Sequence, residues 1–206
     1  MQIGEQSNRD SKKRQERGMK RSYQITEYCH RFLEDYIAEG SRCIDATAGN
    51  GGDTEFLCRQ VGKSGKVYAF DIQEEALRHT KERLCRAGYE SRAVLILDGH
   101  ESMAEHVREE VDAVVFNFGY LPGGNHRIAT TPKTSLEGVR QAMGLIKKGG
   151  IISLCIYSGG DTGDEERDAL LGFLKKLDSK KWLVIVNCYY NRENHPPLPV
   201  FVIRLK

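Results

Sequence analysis

Apolar residues recur at two different spacings along this chain, and the spacings separate predicted helices from predicted strands. Between Tyr23 and Ala38 the apolar and aromatic positions follow the spacing of an amphipathic helix with one buried stripe. Downstream, short runs of Val, Ile, Leu and Phe alternate with amphipathic helical segments. The central runs lack polar–apolar alternation, as expected for strands of a parallel sheet that helices cover on both faces. The pattern predicts a doubly wound α/β fold.

Two stretches near the carboxyl end qualify this picture. The helical segment "KTSLEGVRQAMGLIKKGG" is predicted to end at its glycine pair. The last two predicted strands, "WLVIVNCYYN" and "PVFVIRLK", are joined by "RENHPPLP", which is too short for a helical crossover, so they must pair antiparallel or lie apart. A mostly parallel seven-stranded sheet with an antiparallel last strand resembles the Rossmann-like fold of class I methyltransferases.

The charge along the chain is uneven and sets the predicted domain boundary. A length of 206 residues suits one domain, here 23–206, preceded by a tail at 1–22. The tail has seven basic and three acidic residues, so its net charge is about +4. The net charge of the whole chain is +2, so the rest of the chain is near −2. Such a segment cannot bury enough apolar surface to order itself. It is either a solvated, disordered tail or an arm that meets phosphates.

Cysteine spacing and hydropathy exclude several classes of protein. Six cysteines are scattered without a C-x-x-C pair or a Cys/His cluster, which argues against a metal site and against a disulfide framework. No apolar run reaches membrane-spanning length, and the amino terminus lacks a signal-peptide core. We therefore expect a cytoplasmic protein with neither a membrane nor a metal partner.

A glycine-rich turn, "DATAGNGGDT", follows the first predicted strand. Gly49, Gly51 and Gly52 lack a Cβ, so the backbone can turn sharply there and approach a ligand closely. The next helix is predicted to begin near Asp53 and Thr54. In doubly wound sheets, ligands bind beyond the carboxyl ends of the strands, near the point where the strand order reverses. The turn therefore predicts part of a cofactor pocket.

Three acidic residues end three successive predicted strands. Asp45 is placed to accept a hydrogen bond from an ammonium group, and Asp71 can accept from both hydroxyls of a ribose. Asp98 can accept from the exocyclic amine of adenine, while the backbone amide of Gly99 or His100 donates to the ring. Loop glycines and helix-capping acids would explain any one of these positions but not three in register.

The spacing of the glycines decides between two nucleotide cofactors. A dinucleotide site needs G-x-G-x-x-G and holds a pyrophosphate at the amino terminus of a helix. Here "GNGGDT" breaks that spacing, and Asp53 would repel a pyrophosphate. A carboxylate suits a ligand that carries a sulfonium and an ammonium, so we predict S-adenosylmethionine, with S-adenosylhomocysteine as the product.

The fourth predicted strand runs into "NFGYLPGGNHRIATTP", where related enzymes that methylate amines carry an Asn-Pro-Pro-Tyr-type motif. Asn117 can accept from an amine and leave its lone pair facing the methyl group, and Tyr120 can stack on a base. Pro122 begins a turn in a predicted lid. His126 is the first candidate to assist deprotonation and Asp161 the second. The alternatives are a surface histidine and a simple helix start.

These motifs together resemble the MnmM (YtqB-like) family of bacterial methyltransferases. The resemblance rests on "DATAGNGGDTEFL", "GKVYAFDIQ", "LDGHE", "NFGYLPGGNHRI", "YSGGDTGDEE" and "NRENHPPLP", and it covers nearly the whole chain past the tail. It implies a tRNA enzyme that methylates the primary amine of 5-aminomethyl-2-thiouridine at the wobble position. The product would be 5-methylaminomethyl-2-thiouridine.

The resemblance implies two groups of site residues: a cofactor group of Asp45, Gly49, Asn50, Gly51, Asp53, Thr54, Asp71, Gln73 and His100, and an acceptor group of Asn117, Tyr120, Gly123 and Gly124. Reasoning from the residues and their positions adds the remaining members of each predicted set. The predicted cofactor set, in which Thr26 and Ile72 are included, comprises Thr26, Asp45, Gly49, Asn50, Gly51, Asp53, Thr54, Asp71, Ile72, Gln73, Asp98, Gly99, His100 and Asn117. The predicted acceptor set comprises Asn117, Tyr120, Pro122, Gly123, Gly124, His126 and Asp161. One departure is Thr47, which stands where the general methyltransferase motif has glycine.

Two other functions stay open at this stage. The same pocket would serve an N-methyltransferase acting on rRNA or on a small-molecule amine, and the fold could also serve a non-catalytic nucleotide- or RNA-binding module. A tRNA enzyme has to bind an anticodon stem-loop although the chain beyond its tail is slightly acidic. Local basic pairs such as Lys180 with Lys181 are one solution, and a homodimer is another.

Overall fold

A computed structural model describes residues 24–119, 130–158, 163–193 and 196–206 of the chain. Its strands are β1 Arg42–Asp45, β2 Lys66–Asp71, β3 Ala93–Leu97, β4 Val111–Asn117, β5 Ile146–Ile156, β6 Trp182–Val186 and β7 Leu198–Arg204. Its α-helices are α1 Ile25–Leu33, α2 Gly52–Val61, α3 Glu74–Ala87, α4 Met103–His106, α5 Pro132–Leu145 and α6 Gly163–Leu174. Short 3-10 turns at Glu90–Arg92 and His100–Ser102 precede β3 and α4.

The seven strands form one sheet in the order β3-β2-β1-β4-β5-β7-β6. The first five strands in this order are parallel, whereas β7 runs antiparallel to both β5 and β6. The predicted doubly wound, mostly parallel seven-stranded sheet with an antiparallel last strand is therefore confirmed. The strand order reverses at β1, so the crevice between β1 and β4 is where this fold places a ligand.

Helices cover both faces of the sheet, which explains the uninterrupted apolar strands. On one face, α1, α2 and α3 pack over residues such as Cys43 and Val115. On the other face, α4, α5 and α6 pack over Phe70 and Phe116. Alternate residues of each strand therefore enter different cores, and both sets have to be apolar.

Two predicted helix ends differ from the structure. The helix predicted to Ala38 ends at Leu33, where a turn begins, yet Ile37 is still buried, so the apolar spacing outlasts the helix. The predicted stop of the fifth helix at the glycine pair is wrong. That helix ends at Leu145, and the glycines lie inside β5, where Gly149 has a φ of +76° beside a register shift between β4 and β5. They allow an irregularity in a strand, which is a second common use of glycine.

Candidate active site

The candidate site lies at the carboxyl ends of β1, β2 and β4. Asp45 is the last residue of β1, Asp71 of β2 and Asn117 of β4. Register pairs Asp45 with Ala69 on one side and with Val115 on the other. Because these strands are parallel, their three polar end residues meet at one edge of the sheet.

The glycine loop after β1 is held against β2 and α3 by its backbone. The Gly49 N–H donates to Oδ2 of Asp71 over 2.9 Å, and the Thr80 hydroxyl donates to the Gly49 carbonyl over 3.1 Å. Gly51 has a φ of +76°, and a Cβ there would lie 2.9 Å from the Cα of Thr80. A side chain at Gly51 is excluded both by conformation and by space. The loop backbone is therefore held close against the end of β2 and against α3.

Asp71 is partly exposed at the end of β2. Its Oδ1 accepts from the Gln73 N–H over 2.9 Å, so each carboxylate oxygen receives one backbone donor. Each oxygen has a second lone-pair direction, which leaves room for the hydroxyls of a ribose. Ile72 beside it is 56% exposed, an apolar surface next to a polar one.

Asp45 is fully buried and is satisfied within the protein. Its oxygens accept from the Thr54 hydroxyl over 2.6 Å and from the Thr47 N–H over 3.2 Å. Burial, followed by the negative charge of Asp53, raises the pKa of Asp45 to about 7. A cation arriving beside Asp45 would favour its ionised form.

Asp53 joins three elements of the fold. Its Oδ1 lies 2.5 Å from Nε2 of His30 on α1, and its Oδ2 accepts from the side-chain amide of Asn117 at the end of β4. The Asn117 N–H donates to the Thr47 hydroxyl over 2.7 Å, so Asn117 is held at its backbone as well. Asp53 is only 7% exposed. Asn117, which is predicted to contact the methyl acceptor, is thus held by two residues that follow β1.

The end of β3 has a different character. Asp98 accepts from the Gly99 N–H over 2.7 Å and lies 2.7 Å from Nε2 of His106, at the surface. The hydrogen bond from His106 lowers the pKa of Asp98. His100 is buried with its ring edge-on to Phe116, and burial lowers its pKa. Among the described residues its Nε2 has no hydrogen-bond partner.

Other predicted site residues lie beside this group or outside the described residues. Thr26 lies one turn before His30 on α1, so both share a helix face. Asn50 is exposed, with Oδ1 3.1 Å from Nδ1 of His79. The predicted site residues that lie outside the described ranges are Tyr120, Pro122, Gly123, Gly124, His126 and Asp161. The predicted tail at 1–22 also lies outside them.

The two described residues that flank the predicted lid are hydrogen-bonded to each other. The Gly119 N–H donates to the Thr130 hydroxyl over 2.8 Å, and the Thr130 N–H donates to the Gly119 carbonyl over 3.0 Å. Gly119 and Thr130 therefore lie together, and Gly119 is two residues after Asn117.

Sequence reasoning missed His30, Thr80 and His79. Thr47 was noted only as a departure from glycine, yet its hydroxyl accepts from Asn117. The hydrogen bonds of these four residues join positions 23 to 70 residues apart in the sequence, so no local sequence pattern predicts them. One usable signal was position, since Thr47 lies inside the glycine turn already assigned to the pocket.

The charges of the site fit a cationic ligand. Asp45, Asp53 and Asp71 lie close enough that the charges of the other two contribute to the raised pKa of Asp45. Such a cluster attracts a sulfonium or an ammonium and repels a pyrophosphate. Within the described ranges, no group of three or more His, Cys, Asp and Glu residues is placed to hold a metal ion. Over the same ranges, no helix combines the length and apolar character needed to cross a membrane.

The reversal of strand order at β1, the glycine loop after it and the acidic ends of β1 and β2 define a class I methyltransferase. A model of the family described as "Putative rRNA methylase" matches residues 67–203. A relative from Arabidopsis thaliana, "tRNA (mnm(5)s(2)U34)-methyltransferase, chloroplastic", is 38% identical over 191 residues, which is 88% of this chain and 69% of the relative. The chain belongs to this family of methyltransferases.

Solved structures agree with this assignment. A "putative rRNA-methylase" from Clostridium thermocellum is 41% identical with a TM-score of 0.87, over 89% of this chain and 99% of that one. A "putative methyltransferase" from Streptococcus mutans in complex with SAH is 38% identical with a TM-score of 0.82, over 90% of this chain and all of that one, 100%.

Proposed function

We propose that this chain transfers a methyl group from S-adenosylmethionine to the primary amine of 5-aminomethyl-2-thiouridine at the wobble position of tRNA. The product is 5-methylaminomethyl-2-thiouridine. Two kinds of observation support the proposal: the name of the Arabidopsis relative, and the chemistry of the described residues at the strand ends.

The residues of the pocket fit the cofactor. Asp71 and Ile72 offer a carboxylate for the ribose and an open apolar surface beside it. Asp45 and Asp53 supply negative charge toward the ammonium and the sulfonium, and Asp98 stays a candidate for the adenine amine. When bound, S-adenosylmethionine supplies a methyl group on a positively charged sulfur. The acidic pocket favours that charge over the phosphates of a dinucleotide.

The observation that carries the acceptor chemistry is the hydrogen bond from Asn117 to Asp53. A carboxylate only accepts, so the amide nitrogen of Asn117 must face Asp53 and its oxygen must face away. That oxygen can accept an N–H from an amine and hold the amine lone pair in one direction, which is the main need of an in-line displacement. His126 and Asp161 are kept as candidates to take the amine proton.

Binding of tRNA has to come from surfaces that the site does not supply. We propose that the seven basic residues of the tail contact phosphates, and a homodimer would double every basic pair on the surface. We propose the cytoplasm as the location.

The test uses methyl-labelled S-adenosylmethionine and tRNA from cells that lack the final wobble methylation, followed by digestion and separation of the nucleosides. We expect label in 5-methylaminomethyl-2-thiouridine and none in tRNA that is already fully modified. Ribosomal RNA from the same cells is the second substrate. Label in rRNA, or cofactor binding with no labelled nucleoside in either RNA, would contradict the proposal.

A further inference from the structure

We propose that His30 is a positioning residue for methyl transfer, which acts through Asp53 to fix the side-chain amide of Asn117. This inference rests on the proposed function. His30 lies on α1, far from the strand ends along the sequence, yet its Nε2 is 2.5 Å from Oδ1 of Asp53. Asp53 in turn accepts from Asn117, the residue at the end of β4 that faces the predicted acceptor.

The direction of the hydrogen bonds follows from chemistry alone. An ionised carboxylate has no proton to give, so Nε2 of His30 and Nδ2 of Asn117 both act as donors to Asp53. The orientation of the Asn117 amide therefore depends on Asp53 remaining an acceptor. If the Asp53 carboxylate moved away, the amide could turn round and point an N–H at the amine.

Asp53 depends on neighbouring side chains for its hydrogen bonds because the fold encloses it. Asp53 is 7% exposed and lies close enough to the buried Asp45 for their charges to interact. Water cannot readily replace a partner at such an enclosed carboxylate, so removal of His30 leaves Oδ1 of Asp53 without this donor. A hydrogen bond to a charged acceptor is stronger than one between neutral groups, so the donor from His30 holds the Asp53 carboxylate in position.

The ring of His30 is itself held in place. It stacks on Phe56 with ring centroids 3.8 Å apart and planes 2° from parallel. Phe56 and Asp53 are three residues apart on α2, so they lie on one face of that helix and present a flat support and an acceptor together. His30 is 20% exposed, so most of its ring is covered by these neighbours.

A purely structural His30 would stabilise the packing of α1 on α2 and nothing more. Two variants separate the roles. His30→Phe keeps an aromatic ring for Phe56 and removes the donor, whereas His30→Gln restores a donor without the ring. Glu27→Gln is the matched control, because it changes an exposed residue on the same helix.

The first measurement is single-turnover methylation of hypomodified tRNA beside cofactor affinity by calorimetry. We expect His30→Phe to lower the rate by about 10- to 100-fold and to change cofactor affinity by less than about threefold. His30→Gln should recover part of the rate, and Glu27→Gln should match the wild type. A His30→Phe rate equal to the wild-type rate would overturn the inference, as would parallel losses of rate, cofactor affinity and melting temperature.

The second measurement needs no substrate and separates this inference from the proposed function. The side-chain amide protons of Asn117, assigned in NMR spectra by comparison with Asn117→Ala, report whether Asp53 still holds them. We expect His30→Phe to speed their exchange with water by about tenfold or more, with unchanged exchange in the Glu27→Gln protein. If tRNA is not methylated even by the wild type, the proposed function fails. Unchanged exchange in His30→Phe then refutes the role of His30 on its own terms.

Discussion

Asp45 and Asp98 are both aspartates at the carboxyl ends of parallel strands in one sheet, and their surroundings shift their pKa values in opposite directions. Asp45 is fully buried near two other carboxylates, and its pKa is raised to about 7. Asp98 is 39% exposed beside His106, and its pKa is lowered. The same side chain at equivalent ends of two strands thus ionises less readily where it is buried and more readily where it lies at the surface beside a histidine.

The two His–Asp pairs repeat the contrast. His30 with Asp53 is enclosed by α1, α2 and the end of β4, whereas His106 with Asp98 lies at the surface. An exposed pair contributes little to stability because water screens it. Removing one partner from a buried pair leaves the other without its hydrogen bond. The chemistry of this sheet edge should therefore depend on the β1–β4 region far more than on the end of β3.

The largest effect should come from the amide at the end of β4. Asn117→Ala removes the oxygen that we propose holds the amine, and we expect the single-turnover methylation rate to fall by about 100-fold. Cofactor affinity should stay within about threefold of the wild-type value, since Asp45 and Asp71 remain. Rate measurement and calorimetry on the same preparations check both parts. An equal loss of affinity and rate would place Asn117 in the cofactor pocket alone.

Asp71 provides the next effect. Asp71→Ala should weaken binding of S-adenosylmethionine by roughly 1–3 kcal/mol, the scale of losing hydrogen bonds to a charged acceptor. Asp71 also anchors Gly49, so the melting temperature without cofactor is the control for damage to the loop. Calorimetry gives the affinity, and an unchanged value would remove Asp71 from the ribose site.

Asp45 should give the fold a specific dependence on pH. Its folded pKa is raised, so the stability that it contributes is full below its unfolded pKa of about 4, falls as the pH rises toward about 7, and is constant above. Asp45→Asn should therefore gain stability relative to the wild type between those two values. Urea unfolding at several pH values, without cofactor, measures the difference. Parallel curves for the two proteins would show that Asp45 has an ordinary pKa.

Asp98 should give the smallest effect, with the opposite sign. Its folded pKa is lowered, so its contribution is present above the unfolded pKa of about 4 and is lost as the pH falls. Because the pair is exposed, we expect His106→Ala to cost at most about 0.5 kcal/mol at neutral pH. The same urea experiment measures it, with Glu105→Gln on α4 as the control. A change in the free energy of unfolding larger than the gain produced by Asp45→Asn would reverse the comparison drawn above.

Much of the architecture could be predicted because it is written in local patterns. Buried strands covered on two faces are apolar throughout, and a connection as short as "RENHPPLP" cannot cross a sheet. The glycine pair in β5 was misassigned because the same two residues can stop a helix or relax a strand. Only the pairing of β4 with β5 decides between them.

The site divides in the same way. Asp45, Asp71 and Asn117 could be predicted at one sheet edge because each ends a strand, and the structure places them there. Their functional roles stay predictions. His30 could not be found, since only the packing of α1 against α2 brings it to Asp53. The sequence around a histidine on an amphipathic helix does not indicate which residue it will contact in the fold.

The position of β7 bears on how the chain folds during synthesis. β7 lies between β5 and β6 in the sheet, although both precede it in the sequence. Until Leu198–Arg204 leaves the ribosome, β6 has no neighbour to pair with, and β5 presents an open, apolar edge. Val200 and Phe201 then fill both cores at once. A nascent chain stalled before β7 would carry an unpaired strand edge that is prone to association. The sheet can therefore be completed only after β7, the last of its strands, has been synthesised.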